Sequence, residues 1–317
     1  MESVTAAQLT DPRMPLVSVI MAVHNRESSV ARAINSVLAQ TYRNLELIVV
    51  DDGSSDGTRD VLERFGAPVT VISQAHAGVY VARNLALRHA RGQLVAFIDS
   101  DDAWMPDKLA LQVPLMSRPE VGLVFADAIH VTEPKDRAPR TGLTSFRVSP
   151  PKRGQVVDHF ASCNFVPTCT VLVRRACLEE VGRFSEANKV SADYLAWFRI
   201  ALHHELDFVD RPLIEYTVHE EGLSFDLGRS LEARINLFSS ELAQTIDPAT
   251  RRLLRRLLFN LSLSLALAVL RGRASKISHP WRLFWSTTSK VAKLEAAPWA
   301  AAFALDQLFM RTRRLFS

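Results

Sequence analysis

The stretch LVAFIDSDDAW, residues 94 to 104, runs five apolar residues, Leu94 to Ile98, straight into three carboxylates, Asp99, Asp101 and Asp102, and then into Trp104. A short unbroken apolar run bounded by polar residues reads as a strand buried on both faces. Such a strand ending in this much negative charge calls for a partner that uses the charge.

Upstream, strand and helix signals alternate. PLVSVIMAV (15 to 23) is a buried strand by its β-branched content, and SSVARAINSVLAQ (28 to 40) has apolar residues at helical spacing with Ser28 or Ser29 as N-cap. LELIVVDD (45 to 52) is a second strand, DGTRDVLERF (56 to 65) a second helix capped by Asp56, and VTVISQ (69 to 74) a third strand. GVYVARNLALRHA (78 to 90) is a helix, and QLVAFIDSDD (93 to 102) the fourth strand. This order, with short connections, implies an α/β fold with a mostly parallel sheet and helices on both faces. Ligands of such sheets sit beyond the carboxyl ends of the strands. Both acidic clusters, VVDDGSSDGT and FIDSDD, fall at that edge, so they can line one site.

Past Ala103 the pattern weakens. VGLVFADAIHV (121 to 131) reads as a strand, CTVLVRRACLEEVGRF (169 to 184) as strand then helix, and ADYLAWFRIALHH (192 to 204) as a helix, with a Pro- and Arg-rich loop from 133 to 153. From about Ser230 the chain reads helical to its end, interrupted near His279-Pro280 and Ala297-Pro298.

The 317 residues are 48% hydrophobic and 23% charged, the balance of a folded globular protein with a sizeable core. Three cysteines, Cys163, Cys169 and Cys177, lack zinc-site spacing and cannot all pair, which favours reduced thiols. The opening residues do not resemble a signal peptide and no apolar run is long enough to span a bilayer, so a cytoplasmic protein is expected. Charge is uneven. Asp226 to Ser317 holds 15 Lys/Arg against 6 Asp/Glu, and the remainder is net negative. A basic helical region of this kind, with apolar faces flanked by arginines in RRLLRRLLFNLSLSLALAVLRGR (251 to 273), fits either a helical subdomain or peripheral contact with the inner face of a membrane. No nucleic-acid-binding module accompanies the charge, so no nucleic-acid partner is expected.

Carboxylates spaced as Asp99-x-Asp101 at a strand end can hold a hard divalent cation that shares its shell with phosphates. Taken alone, the pattern reads more readily as a helix cap. Its companions change the balance. The segment from Pro15 to Thr58, GVYVARNLAL, GQLVAFIDSDDAWMPDKL and ADYLAWFRI together resemble, in order and spacing, the inverting glycosyltransferase family 2 with its GT-A fold. The likeness covers roughly residues 15 to 225.

The resemblance implies residue roles. Val23, Asn25 and Asp51 or Asp52 take the places that grip the nucleotide, and Arg83 that of a cation near the diphosphate or base. Asp99 is implied at the ribose or metal, Asp101 at the metal, and Asp102 as a possible cap of the next helix. Asp193 matches the general base, although the glutamate that usually precedes it is Ala192. Trp197, on the same run, is either a sugar platform or core. His219 and Ser224 fall on the closing segment near the diphosphate, where His219 counts among both donor and metal contacts; the arginine common there is replaced by Thr217. The implied activity is metal-dependent (Mn2+ or Mg2+) inverting transfer from a nucleotide-sugar, UDP-linked, to a hydroxyl of a glycan or lipid-linked acceptor, in polysaccharide or cell-surface glycan synthesis. The implied organisation is a tail (1–14), a GT-A catalytic domain (15–225) and a helical basic region (226–317). Two other readings stay open. A nucleotidyltransferase would show a Gly-rich loop after the first strand, and AVHNRESS has no glycine. A catalytically silent binding protein of the same fold is allowed by Ala192 and Thr217 and opposed by Asp99, Asp101 and Asp193.

Overall fold

A computed structural model describes residues 14–132, 145–160, 164–218 and 227–270. The chain divides into two compact units, Met1–Phe225 and Asp226–Ser317. The first opens with the expected alternation: β1 (Val17–Val23), α1 (Val30–Leu38), β2 (Leu45–Asp52), α2 (Thr58–Leu62), β3 (Val69–Gln74), α3 (Val79–His89) and β4 (Leu94–Phe97). Then come β5 (Ala103–Trp104), α4 (Lys108–Gln112), β6 (Val121–Thr132), α5 (Ser145–Val148), α6 (Val157–Phe160), β7 (Leu172–Arg174), α7 (Arg175–Glu180), α8 (Ala192–His203) and β8 (Glu205–Val218).

These strands form one mixed sheet, ordered β3-β2-β1-β4-β7-β6-β8-β5. β1 pairs in parallel with β2 and β4, and β2 with β3. The short β7 enters antiparallel between β4 and β6, and β6 runs parallel to β8 with register shifts near Asp127. Alternate residues of β1, Val17, Val19, Met21 and Val23, pack with Val30, Ala33, Ile34 and Val37 of α1 in one core cluster. Ala96 and Ile98 join that cluster, so Phe97 between them points to the opposite layer, where its ring meets Phe184 at 5.4 Å and Trp197 at 5.9 Å. Trp197 is therefore core, fully buried within α8, and not a sugar platform.

Three local readings change. Ser29 is the N-cap residue of α1, but its hydroxyl makes no cap bond and donates instead to the Ser100 carbonyl, tying α1 to the acidic loop. α2 is shorter than the sequence pattern predicts and has Gly57 at its N-cap, while Asp56 accepts the Thr58 N–H at 3.0 Å. Asp102 does not cap a helix: α4 starts six residues later, at Lys108, with Asp107 at its N-cap, and the Asp102 carboxylate accepts the Thr217 N–H from β8 at 2.9 Å.

In the second unit, α9 (Leu227–Gln244) and α10 (Pro248–Leu270) form an antiparallel pair. Buried Leu231, Ile235 and Phe238 on α9 and Leu254, Leu257, Leu258, Leu261 and Leu265 on α10 supply its apolar faces. Arg251 donates to the carbonyls of Leu242 and Thr245, filling acceptors left open at the end of α9. Among the described residues, no helix is long and apolar enough to cross a membrane. The helical stretch expected after residue 270 lies outside the described residues.

Candidate active site

The loop after β1 joins the two acidic clusters. The Asn25 N–H donates to Ser54 Oγ at 3.0 Å, its side-chain oxygen accepts the Ser55 N–H at 2.8 Å, and the Arg26 N–H donates to Thr58 Oγ1 at 2.7 Å. From the same loop, Arg26 Nε lies 3.5 Å from Asp101 Oδ2. Asn25 holds φ +51°, a left-handed backbone that asparagine tolerates better than most residues. One loop thus touches the turn after β2 and the turn after β4, the edge at which the sequence pattern places a ligand.

Asp51 and Asp52 are both buried and both engaged. Asp51 accepts the Ser54 N–H at 3.0 Å and pairs with Arg59 at 3.3 Å. Asp52 braces the crossing into α3: Oδ1 accepts from Gln74 Nε2 (2.6 Å) and the Ala77 N–H (2.8 Å), and Oδ2 accepts the Gly78 N–H (2.8 Å) and lies 3.0 Å from His76 Nδ1. Gly78 has φ +102°, which a side chain would strain. Burial opposes the charged form of Asp52, but these donors prevail and hold its carboxyl below the usual range. Val23 sits in the core, so it presents only backbone at the edge. The next residue, His24, turns outward; its Nδ1 lies 2.8 Å from the Asp52 carbonyl oxygen, and its ring lies 4.2 Å from that of His76. Because a carbonyl only accepts, that contact fixes the Nδ1–H tautomer of His24.

A cavity of about 300 Å³ opens beside this turn, lined by Asp51, Arg59, Leu62, Phe65, Val69 and Ser73 among others. Its lining includes none of Arg83, Asp99, Asp101 and Asp193, so it is not the centre those four residues form.

At that centre, Arg83 of α3 is buried and donates to Asp99 Oδ1 at 2.6 Å. Burial works against the guanidinium's charge, yet Asp99, then Tyr80 and Asp193, hold its pKa above the ordinary arginine value. Asp99 is half-buried, with 35% of its side chain still reaching solvent. Burial raises its pKa; Arg83 opposes this, and the charges of Asp101 and Asp193 push it further up. Asp102, almost wholly buried, is raised well above its usual range by burial and then by Asp99. Among the described residues, no hydrogen bond to its Oδ2 meets normal geometry. Asn84, beside Arg83, binds the Phe184 backbone in both directions and Glu186 Oε1 at 2.9 Å, pinning the approach to α8.

Asp193 stands in the first turn of α8, half-buried. Oδ1 accepts the Tyr80 hydroxyl at 3.1 Å and the Tyr194 N–H at 2.8 Å, while Oδ2 accepts the Thr168 hydroxyl at 2.5 Å. Ala192, where the resemblance expects a glutamate, is buried among apolar residues, so a charge there would be desolvated. Thr217 is built into the acidic loop. Its hydroxyl donates to the Asp101 carbonyl, which also accepts from Arg32 at 2.5 Å, and Arg32 reaches Glu215 on β8. Arg26 and Arg32 thus both bring positive charge to the loop on this side. His219 and Ser224 lie outside the described residues.

The cluster suits a hard divalent cation. Asp99, Asp101, Asp102 and Asp193 bring four carboxyls together, with Arg83 paired to Asp99 and Arg26 to Asp101. Raised pKa values at Asp99 and Asp102 follow from burial and from the mutual repulsion of these carboxylates, which a cation would relieve. Asp99, Asp102 and Cys169 have potential ligand atoms within 4.8 Å of one another. Burial, then the nearby Asp102 and Asp99 charges, push the Cys169 thiol well up.

A mixed sheet with an acidic loop at its carboxyl edge and a carboxylate facing it from a helix defines a GT-A fold. The family model for glycosyl transferase family 2 matches residues 18–182, and the chain belongs to that family of sugar-transferring enzymes. It is 30% identical over 233 residues to the Escherichia coli enzyme WfaP, a UDP-Glc:alpha-D-GlcNAc-diphosphoundecaprenol beta-1,3-glucosyltransferase, covering 72% of this chain and 87% of WfaP. Escherichia coli WfgD, with the same described activity, is 42% identical over 114 residues, 35% of this chain and 45% of WfgD. The chain thus spans about half the length of WfgD. Among solved structures, Staphylococcus aureus TarS residues 1–349 in complex with UDP-GlcNAc superposes with TM-score 0.64 at 18% identity, covering 87% of this chain and 80% of the other. The Pyrobaculum calidifontis mannosyltransferase PcManGT, in complex with GDP-Man and Mn2+, gives 0.60 at 21%, covering 96% and 85%.

His24, His76, Tyr80 and Thr168 also belong to this region and are not among the residues the sequence motifs single out. A signal for Tyr80 was available: it precedes Arg83 by three residues and so shares its helix face.

Proposed function

We propose that the protein is an inverting, metal-dependent glycosyltransferase that moves a sugar from a UDP-sugar to a hydroxyl of a lipid-linked glycan during cell-envelope polysaccharide synthesis. The observation that carries this is the convergence of Asp193 and Asp99 on Arg83 and α3. A base and a donor-side carboxylate are thereby held in one site. In this reading Val23 (through its backbone), Asn25, Asp51 and Asp52 frame the nucleotide, Arg83 and Asp99 face the ribose and diphosphate, and Asp99, Asp101 and His219 are the metal ligands. When bound there, Mn2+ or Mg2+ supplies charge neutralisation for the departing diphosphate.

Asp193 accepts the proton of the acceptor hydroxyl as the new bond forms at the anomeric carbon and the bond to the diphosphate oxygen breaks on the opposite face, which inverts the centre. The arginines at the site offer forks matched to phosphate oxygens. A UDP-glucose donor and a GlcNAc-diphospholipid acceptor are the pair suggested by WfaP and WfgD. The basic region from Asp226, with exposed Arg252 and Arg256 on α10, is the part we assign to peripheral contact with the anionic membrane surface that carries such an acceptor. Residues 15–225 form the catalytic domain in this reading.

The test is to incubate the protein and Mn2+ with UDP-glucose or other UDP-sugars and GlcNAc-α-diphosphoundecaprenol, and to read the anomeric proton coupling of the product. A β product from an α-linked donor is expected; an α product removes the inverting assignment.

A further inference from the structure

We infer that Tyr80 and Thr168 are positioning residues for Asp193, and that α3 is the strut that sets the base against the donor-side carboxylate Asp99. This rests on the reading of Asp193 as the base given above. A general base must present one lone pair within hydrogen-bond reach of the proton it takes, so a carboxylate free to turn is a poor base. Each oxygen of Asp193 is held by a side-chain hydroxyl from a different element, Oδ1 by Tyr80 of α3 and Oδ2 by Thr168. Turning the carboxylate breaks both bonds. Helix capping does not explain them, because the N-cap of α8 is Ser191 and, among the described residues, the backbone donor to Asp193 is the adjacent Tyr194.

Both hydroxyls are fixed in turn. The Tyr80 ring is buried, 5.7 Å from the Phe184 ring and 5.6 Å from the Arg83 guanidinium carbon. Burial and the Asp193 charge push the Tyr80 phenol above its usual pKa, so its proton stays available to donate. Thr168 opens a one-turn 3-10 helix, Thr168–Thr170, which Trp104 and Gln112 clamp by donating to the Cys169 and Thr170 carbonyls at 3.1 and 2.8 Å. On α3, Tyr80 and Arg83 are three residues apart and share a face, so the helix that directs one hydroxyl to Asp193 directs the guanidinium to Asp99. The geometry of donor and base is thus set by one rigid element.

The experiment compares Tyr80→Phe, Thr168→Val, Thr168→Ser and Asp193→Asn with wild type. It measures kcat and KM for transfer from UDP-glucose to GlcNAc-α-diphosphoundecaprenol, UDP-glucose Kd by calorimetry, and crystal structures of wild type and Tyr80→Phe. Tyr80→Phe and Thr168→Val are each expected to lower kcat about tenfold while the donor Kd stays within about twofold. Thr168→Ser, which keeps the hydroxyl, is expected to recover kcat to within about threefold of wild type. In the Tyr80→Phe crystal, the Asp193 carboxylate is expected to rotate or to occupy two conformers, an outcome readable whatever the turnover. The inference is overturned by an unmoved single conformer, by kcat within about twofold of wild type in both hydroxyl-deleted variants, or by donor Kd shifting in step with kcat. Loss of transfer in Asp193→Asn alone overturns the positioning roles and keeps the base; transfer surviving in Asp193→Asn overturns the base and the positioning roles together.

Discussion

Replacing Asp52 by asparagine should destabilise the first unit by about 2–3 kcal/mol at neutral pH. The carboxylate receives Gln74 and the Ala77 N–H on one oxygen, and the Gly78 N–H and His76 on the other. However an asparagine amide turns, its oxygen can serve only one of these pairs, and its NH2 group faces the donors of the other. Two charge-assisted bonds are lost, at roughly 1.5 kcal/mol or more each, and water reaching exposed His76 and Ala77 returns part of that. The sign of the pH dependence follows from the lowered pKa of Asp52. Its contribution is fully present above the unfolded value, about 3.9, and is lost as pH falls through the lower folded value. Asparagine does not titrate. Urea denaturation followed by circular dichroism should therefore give a gap between wild type and Asp52→Asn that is level from about pH 8 to 5 and narrows below about pH 4. A gap under about 0.5 kcal/mol at pH 7, or one undiminished at low pH, refutes the brace.

Two further predictions concern stability. A Cβ at Gly92 would meet only backbone, Leu16 O at 2.6 Å, Ser18 N at 2.7 Å and Leu94 O at 2.8 Å. Gly92→Ala should therefore lower stability by about 2–3 kcal/mol, seen as a reduced Tm, because no side chain can turn aside. Lys108 is fully buried, with Nζ 2.8 Å from Gln112 Oε1 and 4.0 Å from the Trp104 ring centroid, and burial pulls its pKa down to about 7. Its folded value is depressed, so stability is greatest above the unfolded value, about 10.4, and falls as pH drops towards 7. Lys108→Met should be more stable than wild type by roughly 1–3 kcal/mol near pH 7, with an advantage that fades towards pH 10; urea titrations at the two pH values check it.

The parallel half of the sheet was legible because its strands are continuous apolar runs and its helices are strongly periodic, both of which are local signals. β8 was harder: Glu205–Val218 interleaves charged residues and Pro212 with its apolar positions, and its pairing with β6 shifts register, so no clean period survives. At the site, motif order named Arg83, Asp99, Asp101 and Asp193, and the structure places their charges close together. Side-chain direction at a strand end was less accessible. Val23 and His24 are neighbours, and only the inward set Val17, Val19, Met21 and Val23 reveals that His24 faces out. Tyr80 and Thr168 were out of reach for a different reason. The Tyr80–Asp193 contact joins residues 113 apart, and its geometry depends on how α8 docks against α3.

The proposed function requires that one site bind a nucleotide-sugar through the acidic loop and use Asp193 as base. The most direct measurement is calorimetric titration of UDP-sugars into wild type, Asp101→Asn and Asp193→Asn, with Mn2+ or with EDTA, beside transfer assays on the same samples. The prediction is Mn2+-dependent binding to wild type and Asp193→Asn, weakened at least tenfold in Asp101→Asn and in EDTA, with transfer lost in both variants. Failure of every nucleotide-sugar to bind wild type with any metal, or unimpaired transfer by Asp193→Asn, would contradict it.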